Sequence, residues 1–189
     1  MKEAPILFDG EMVRAILDGR KTQTRRPVHK DIASAIVGAG ENVLYRCPLG
    51  QAGDRLWVRE TFVQGFEADE CGDISSCDEN GNAKPIQTWY RADGHINWED
   101  DGELCNTPWK PSIHMPRSAS RITLEITDVR IERLQSISEA DAKAEGIEPA
   151  ECCLAHYHGF SKLWQNVYGS ESWEANPWVW VIEFRRVEK

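Results

Sequence analysis

Residues 120–134, SRITLEITDVRIERL, restrict the fold more than any other segment of the chain. From Ile122 to Ile126, apolar residues alternate with polar ones, which is the pattern of a strand with one buried face. The alternation resumes out of step at Val129, so we expect a β-bulge at Thr127–Asp128. The segment therefore predicts one long strand with an irregularity near its middle.

The same periodicities predict the other elements of the fold. Further strands are expected at residues 6–8, 22–26, 53–63, 86–93 and 176–187. Helices are expected from an Asp9 cap to Gly19, from a Ser136/Glu139 capping box to Gly146, and over residues 158–169. Because strands outnumber helices and long connections separate them, an α+β fold with a small mixed barrel and peripheral helices is favoured over a parallel α/β sheet.

Length and hydropathy indicate the class of protein. The chain has 189 residues, and we expect one domain over residues 1–189. No apolar run approaches the ~18 residues of a membrane-spanning helix, and the N-terminus lacks the apolar core of a signal peptide. We therefore expect a cytoplasmic protein with no membrane partner. Residues 64–118 are rich in Gly, Asp, Asn, Cys and Pro, and we interpret about that range as a long irregular insertion.

Charge is unevenly distributed along the chain. The net charge of −9 argues against a protein that holds long nucleic acid by phosphate neutralisation alone. The predicted insertion is strongly acidic, whereas residues 14–30 carry six cations against the single acid Asp18. A local site for an anionic ligand therefore remains compatible with the overall charge.

The six cysteines include no CxxC pair. The nearest approach to a zinc-ligand set is the group Cys152, Cys153, His156 and His158, and zinc sites usually show tighter pairs of ligands. We expect reduced thiols, no metal site and no cofactor.

Several long blocks of the sequence resemble ASCH-domain proteins, a branch of the PUA-like β-barrel superfamily, and especially the version carried by phages and prophages. The blocks occur in family order and leave mainly residues 28–42 and 64–108 outside the match. They are ILDGRKTQTRR, CPLGQAGDRLWVRETF, WKPSIHMPRSASRITLEITDVRIERLQSISEADAKAEGI, FSKLWQNVYG and SWEANPWVWVIEFRRV.

This resemblance implies a PUA-like mixed, mostly antiparallel β-barrel flanked by helices that binds a nucleoside or RNA. One small bacterial subfamily hydrolyses N4-acetylcytidine to cytidine and acetate, and its proposed lysine, threonine and glutamate fall on Lys21, Thr24 and Glu145. This chain departs from that enzyme by its greater length, its acidic insertion and its Arg-Arg-Pro sequence at residues 25–27.

The three residues have the chemistry that such a reaction needs. A threonine hydroxyl becomes a nucleophile only when a neutral amine takes its proton. In a regular strand, residues 21 and 24 point to opposite faces, so Lys21 has to belong to the turn after Gly19 to meet Thr24. Glu145 is expected at the C-terminal end of a helix, where the helix dipole favours the protonated form of a general acid. The alternative for Glu145 is a solvated residue of the last helical turn.

Other side chains are candidates for ligand contact. Arg25 and Arg26 either contact phosphate or are exposed strand charges, and a single histidine is more often structural than catalytic. These substrate-binding candidates are Arg20, Thr22, Arg25, Arg26, Trp57, Arg59, His114 and Arg117.

The sequence supports three functional hypotheses. The first is a cleft that accepts a nucleoside or RNA base, with hydrolysis of an N4-acylated cytidine as its sharpest version. The second is a non-catalytic RNA-binding module of phage origin, with a basic face joining residues 14–30 to Lys110, Arg117 and Arg121. The third is a ribonuclease, for which the sequence offers no obvious histidine pair.

Overall fold

The computed structural model describes residues 1–39, 46–66, 77, 80, 82–94, 98–100, 103–105, 109–149 and 155–187. The chain divides into two compact units. The first contains Met1–Ile6, Ala15–Val58 and Ile122–Lys189, and the second contains Leu7–Arg14 and Arg59–Arg121. One domain over residues 1–189 stays a prediction.

The described residues form nine strands and five α-helices. The strands are β1 Glu3–Leu7, β2 Gln23–Pro27, β3 Arg55–Arg59, β4 Phe62–Gly65, β5 Gln87–Tyr90, β6 Trp98–Asp100, β7 Glu103–Cys105, β8 Thr123–Arg133 and β9 Trp178–Val187. The helices are α1 Gly10–Leu17, α2 Lys30–Ala39, α3 Glu139–Ala144, α4 Ala155–Tyr168 and α5 Ser170–Glu174. The predicted α+β class is confirmed.

A five-stranded sheet with the order β1-β3-β8-β9-β2 forms the framework of the first unit. The long strand β8 pairs antiparallel with both β3 and β9, and β9 pairs antiparallel with β2. The register shifts between Ile126 and Asp128, which confirms the predicted bulge. In the part of the chain that the structure describes, β1 and β2 are open edges and the strands do not close into a barrel.

The core on one face of this sheet lies against α3 and α4. Val179 and Val181 of β9 are fully buried there, because alternate residues of a strand share a face. They pack in one cluster with Leu134, Ile137, Ala142, Phe160 and Trp164.

The predicted start of α3 is wrong by two residues. The capping box consists of Ser138 and Asp141, not Ser136 and Glu139. The Ser138 hydroxyl accepts from the Asp141 backbone N–H at 3.1 Å, and an Asp141 carboxylate oxygen accepts from the Ser138 backbone N–H at 3.3 Å. The helix begins later because Leu134–Ser136 form a 3₁₀ turn, which buries Leu134 before α3 starts.

The predicted start and end of the first helical segment are confirmed. Asp9 caps α1 by accepting from the Met12 backbone N–H at 2.8 Å, and Gly19 ends the segment at φ 73° in the left-handed region.

The strand expected over residues 53–63 is interrupted at Glu60–Thr61 and gives β3 and β4. The helices α2 and α5 were not anticipated.

The second unit has more regular structure than the predicted insertion at 64–118. Strand β4 pairs antiparallel with β5, the one strand anticipated in this region, and β6 pairs antiparallel with β7. A small apolar cluster forms around Phe62, Met115 and Ala119, with Tyr90 packed against it. Much of the acidic run that defined the insertion lies outside the described residues.

Among the described helices, none combines the length and the apolar character that a membrane crossing requires.

Candidate functional site

Lys21 lies in the turn that joins α1 to β2, and it is only 2% exposed. The positive φ of Gly19 reverses the chain, after which Lys21 forms an isolated antiparallel bridge with Glu145. The turn therefore carries the lysine inward, as the position of Gly19 in the sequence predicts.

The Lys21 amine is surrounded by oxygen atoms. Its Nζ donates to the Gln23 carbonyl at 2.8 Å, to the Glu145 carbonyl at 2.9 Å and to Glu145 Oε2 at 2.8 Å. An ammonium group has three donors, and these three contacts use all of them. The arrangement is that of a charged, buried lysine held in place by its acceptors.

Glu145 reaches this position because the chain turns immediately after it. It is the C-terminal cap residue of α3, and Gly146 follows with φ 80°. A Cβ at Gly146 would lie 2.8 Å from the Lys21 Cβ and 2.9 Å from the Ala15 Cβ, so a larger residue would clash. Glycine thus allows both the backbone conformation and the close approach of the two segments.

The Glu145 carboxylate is shared between two cations. Its Oε2 accepts from Lys21, and its Oε1 accepts from Arg25 Nη1 at 3.2 Å. The carboxylate is therefore an acceptor of ion pairs, which differs from the proton donor that its place at a helix C-terminus suggested. Nor is it a solvated residue of the last turn, because it is 4% exposed.

Arg25 is buried, so the alternative of an exposed strand charge is wrong, and its contact with phosphate stays a prediction. Its side chain is fully enclosed and also pairs with Glu132 at 3.2 Å, while its guanidinium lies 5.8 Å from the centre of the Phe160 ring. The acids of β8 and α3 hold it inside the fold, where a bidentate cation can satisfy several carboxylates.

Thr24 does not share the face of β2 that carries this cluster. It is buried and pairs in register with Ile182, and side chains alternate along a strand. Arg25 points to the Glu145 side, so Thr24 projects from the opposite face. The structure brings Lys21 and Glu145 together, and the turn carries Lys21 to the face of Arg25 instead of the face of Thr24.

The cluster extends outward through Arg130 and Asp141. Arg130 pairs with Glu132 at 2.6 Å, with Asp141 at 3.3 Å and with Glu183. Burial raises the pKa of the Asp141 carboxyl, but hydrogen bonds from Ser138 and the nearby charge of Arg25 outweigh it and lower the pKa overall. The network thus favours the ionised form of Asp141 beside Arg25.

The remaining candidates are dispersed over the two units. In the first unit, Arg20 pairs with Asp18 at 3.1 Å, Thr22 is exposed, and Arg26 and Trp57 are partly buried. The others belong to the second unit, where Arg59 donates to the Ile113 carbonyl at 2.6 Å, His114 is exposed and Arg117 is partly buried.

A second buried cluster was missed from the sequence. Glu60, 1% exposed, accepts from Arg121 Nε and Nη2 at 2.9 Å each. Arg121 also pairs with Asp93 at 2.7 Å and lies 3.9 Å above the Tyr90 ring. Arg121 is therefore ion-paired and is not a member of an open basic face. The signal for Glu60 was present, because it falls on the buried face of the alternating segment 53–63.

Burial raises the pKa of the Glu60 carboxyl, although the Arg121 hydrogen bonds act in the opposite direction. Among the described residues, the cation that pairs with this carboxylate is Arg121, which also pairs with Asp93. The environment of Glu60 therefore favours the ionised form less than water does.

Metal ligation finds no support in the part of the chain that is described, where no three His, Cys, Asp or Glu side chains converge. Cys47 is a buried free thiol and Cys77 an exposed one, and burial raises the pKa of Cys47. Cys152 and Cys153, the centre of the nearest zinc-like pattern, lie outside the described residues.

No family model and no curated protein matches the chain. The solved structures that are similar to this chain include two bacterial proteins. An ASCH domain from Lactobacillus crispatus JV V101 has 13% identity and a TM-score of 0.43, with 98% of this chain and 79% of that chain covered. Protein EF3133 from Enterococcus faecalis V583, described with the family DUF984, has 12% identity and a TM-score of 0.43, with 99% of this chain and 81% of that chain covered.

Proposed function

We propose that this chain is an ASCH-like protein, with a PUA-like fold, that binds a nucleoside or an RNA base. The observation that carries the proposal is the 2.8 Å contact between Lys21 and Glu145, two side chains 124 positions apart in the sequence. The sequence resemblance names these same two residues as parts of one site. Their burial together supports the same arrangement in this chain.

The form of the cluster favours binding over hydrolysis. A lysine acts as a base only when its amine has a lone pair available. In this structure the three donors of the Lys21 amine face three acceptors, and Thr24 projects from the other face of β2. Lys21, Arg25 and Glu145 are therefore proposed to shape and rigidify the wall of the ligand cleft.

Hydrolysis of the amide of N4-acetylcytidine is the second candidate, and the same Lys21–Glu145 contact favours it. Two of the three residues that the resemblance assigns to that reaction are adjacent. Catalysis requires the Lys21 amine to leave Glu145 and reach the Thr24 hydroxyl, which demands a rearrangement of the turn between α1 and β2.

One experiment separates the two candidates. Cytidine, N4-acetylcytidine and a short single-stranded RNA are titrated into the protein by calorimetry, while release of acetate from N4-acetylcytidine is followed by chromatography. We expect binding without acetate release. Acetate release that disappears in Thr24→Val, a substitution of similar shape, would establish the hydrolase instead.

The binding proposal also has its own controls. Lys21→Met is expected to weaken nucleoside binding at the cleft that the Lys21–Glu145 cluster borders, and Lys162→Met, which removes an exposed lysine of α4, is expected to leave it unchanged. Absence of binding for both nucleosides and for the RNA in the wild-type protein would refute the proposal.

Binding of RNA, where it occurs, is expected to depend weakly on salt. The affinity of single strands for proteins falls with a log–log slope of about −0.7 per neutralised phosphate. Arg25 and Arg121, two cations of the predicted basic face, are committed to carboxylates. A slope that corresponds to about one or two neutralised phosphates supports recognition of the base. A slope that corresponds to about six or more neutralised phosphates supports the non-catalytic RNA-binding module.

A further inference from the structure

The second unit contains a cavity of about 580 Å³ that is lined by both charged and apolar groups. Ligand pockets commonly measure ~300–1,000 Å³. The lining consists of the acids Asp9, Glu11 and Glu60, the arginines Arg14 and Arg91, and Gly10, Thr61, Ala92 and Gly94. None of them belongs to the Lys21–Glu145 cluster, so the cavity requires its own explanation.

Glu60 gives this cavity a carboxylate of fixed orientation. Its two oxygens each accept one hydrogen bond from Arg121, and Arg121 is in turn fixed by Asp93 and by the face of Tyr90. A carboxylate has about four lone-pair sites. Two Arg121 bonds therefore leave acceptor capacity for an N–H group of a ligand.

Two guanidinium groups complement the carboxylate. Arg14 donates to the Ala92 carbonyl at 3.1 Å, which fixes its side chain at the cavity. Arg91 is exposed and lies 5.9 Å from the centre of the Trp109 ring. Guanidinium groups are well suited to phosphate oxygens. The cavity thus combines a buried acceptor of N–H groups with exposed donors to an anion.

We infer that this cavity binds a nucleotide, with the exocyclic amino group of the base donating to Glu60 and the phosphate held by Arg14 and Arg91. The inference rests on the proposed function, from which it takes the class of ligand, and it adds a second recognition site that shares no residue with the Lys21–Glu145 cluster. A base with an amino group adds a hydrogen bond to the carboxylate, whereas uracil presents a carbonyl oxygen that faces the carboxylate acceptor to acceptor and adds none. Glu60 is therefore a specificity-determining residue.

The raised pKa of Glu60 agrees with this role. Burial disfavours the ionised carboxylate in the unliganded protein. A donor that enters the cavity supplies the hydrogen bond that solvent would otherwise provide, so ligand binding and ionisation of Glu60 are coupled.

The test compares cytidine and uridine 5′-monophosphates, which have nearly the same size and charge and differ in an amino group against a carbonyl oxygen. Calorimetry on the wild-type protein is expected to show at least a tenfold preference for the cytidine nucleotide, since a hydrogen bond to a charged group changes affinity by roughly ten- to a hundredfold. In Glu60→Gln the amide can donate as well as accept, and the preference is expected to fall to about twofold or less.

Two further variants make the result specific. Arg91→Gln is expected to weaken both nucleotides equally and to keep the preference. The matched control Glu171→Gln, which alters an exposed glutamate of α5, is expected to change neither.

Gly10→Leu is an alternative test of the cavity that remains if Glu60→Gln fails to fold. A Cβ at Gly10 would lie 3.6 Å from Arg14 Nη1 and 3.8 Å from the Ala92 Cα, which are ordinary contacts, so a Cβ is tolerated at this position of the cavity wall. We expect this variant to melt near the wild-type temperature and to lose nucleotide binding.

Equal affinities of the wild type for the two nucleotides would overturn the inference, as would an unchanged preference in Glu60→Gln or full binding in Gly10→Leu. The proposed function would survive each of these results, because a nucleotide would still bind. It falls only if neither these nucleotides nor the nucleosides and the RNA bind to the wild-type protein.

Discussion

Two buried carboxylates, Glu145 in the first unit and Glu60 in the second, form ion pairs with arginine in different surroundings. Glu145 lies between Lys21 and Arg25, and main-chain carbonyls complete the shell of the lysine. Glu60 has Arg121 as its cation, shares it with Asp93 and lines a cavity. The first arrangement is closed by its own neighbours and favours rigidity. The second retains acceptor capacity beside a space that a ligand can enter.

The largest effect is expected from Lys21→Met. Removing one partner of a buried ion pair leaves an uncompensated charge and costs about 3–5 kcal/mol, and the Lys21 side chain is fully buried. Urea denaturation should show this loss in the free energy of unfolding, while the surface change Lys162→Met should stay within about 0.5 kcal/mol. A loss below about 1 kcal/mol for Lys21→Met would mean that the closed cluster contributes little rigidity.

Arg121→Met is expected to have the next largest effect. It leaves Glu60 buried without its cation, which costs about 2–3 kcal/mol because Arg121 is itself partly exposed and Glu60 borders a cavity that water can enter. The same urea measurement tests this value. If the loss equals or exceeds that of Lys21→Met, the two clusters are equally closed and the contrast between them is wrong.

The sequence predicts the framework better than it predicts these clusters. The bulge in β8, the Asp9 cap and the end of the turn at Gly19 follow from local periodicity and backbone chemistry. The Lys21–Glu145 contact does not, since 124 positions separate the two residues, and only the family resemblance pointed to it. The burial of Arg25 depends on acids from β8 and α3 that only the tertiary fold brings together.

For the cluster around Glu60, the sequence predicts one residue of the ion pair and not the other. Its position on the buried face of a strand was visible in the alternation of residues 53–63. Its partner Arg121 is 61 positions away and reads as a surface cation next to prolines. A local pattern can therefore reveal a buried charge, but not the group that compensates it.

The pH dependence of stability should separate the two carboxylates. The pKa of Glu60 is raised above its ordinary value of 4.5, chiefly by burial. Its contribution to stability is therefore complete below pH 4.5 and is lost as the pH rises through the raised pKa. Glu60→Gln lacks this dependence, so the stability of the wild type relative to the variant should fall as the pH increases from acid to neutral.

Urea denaturation of both proteins at several pH values measures this difference, and the other titrating groups are common to the two. A stability difference that stays constant, or that grows with pH, would show that Arg121 fully offsets the burial of Glu60. The Glu60 cluster would then resemble the closed cluster of Glu145.

The smallest expected effect distinguishes how Tyr90 supports Arg121. The Tyr90 hydroxyl donates to the Ala119 carbonyl at 2.9 Å, and its ring lies 3.9 Å from the Arg121 guanidinium. Tyr90→Phe keeps the ring and removes one hydrogen bond, so the free energy of unfolding should fall by about 1 kcal/mol. Tyr90→Leu also removes the cation–π contact, which adds about 0.5–1 kcal/mol. Because the ring of Tyr90, and not its hydroxyl, contacts Arg121, nucleotide preference should persist in Tyr90→Phe and decrease in Tyr90→Leu. The same preference in both variants would mean that Asp93 alone orients Arg121 toward Glu60.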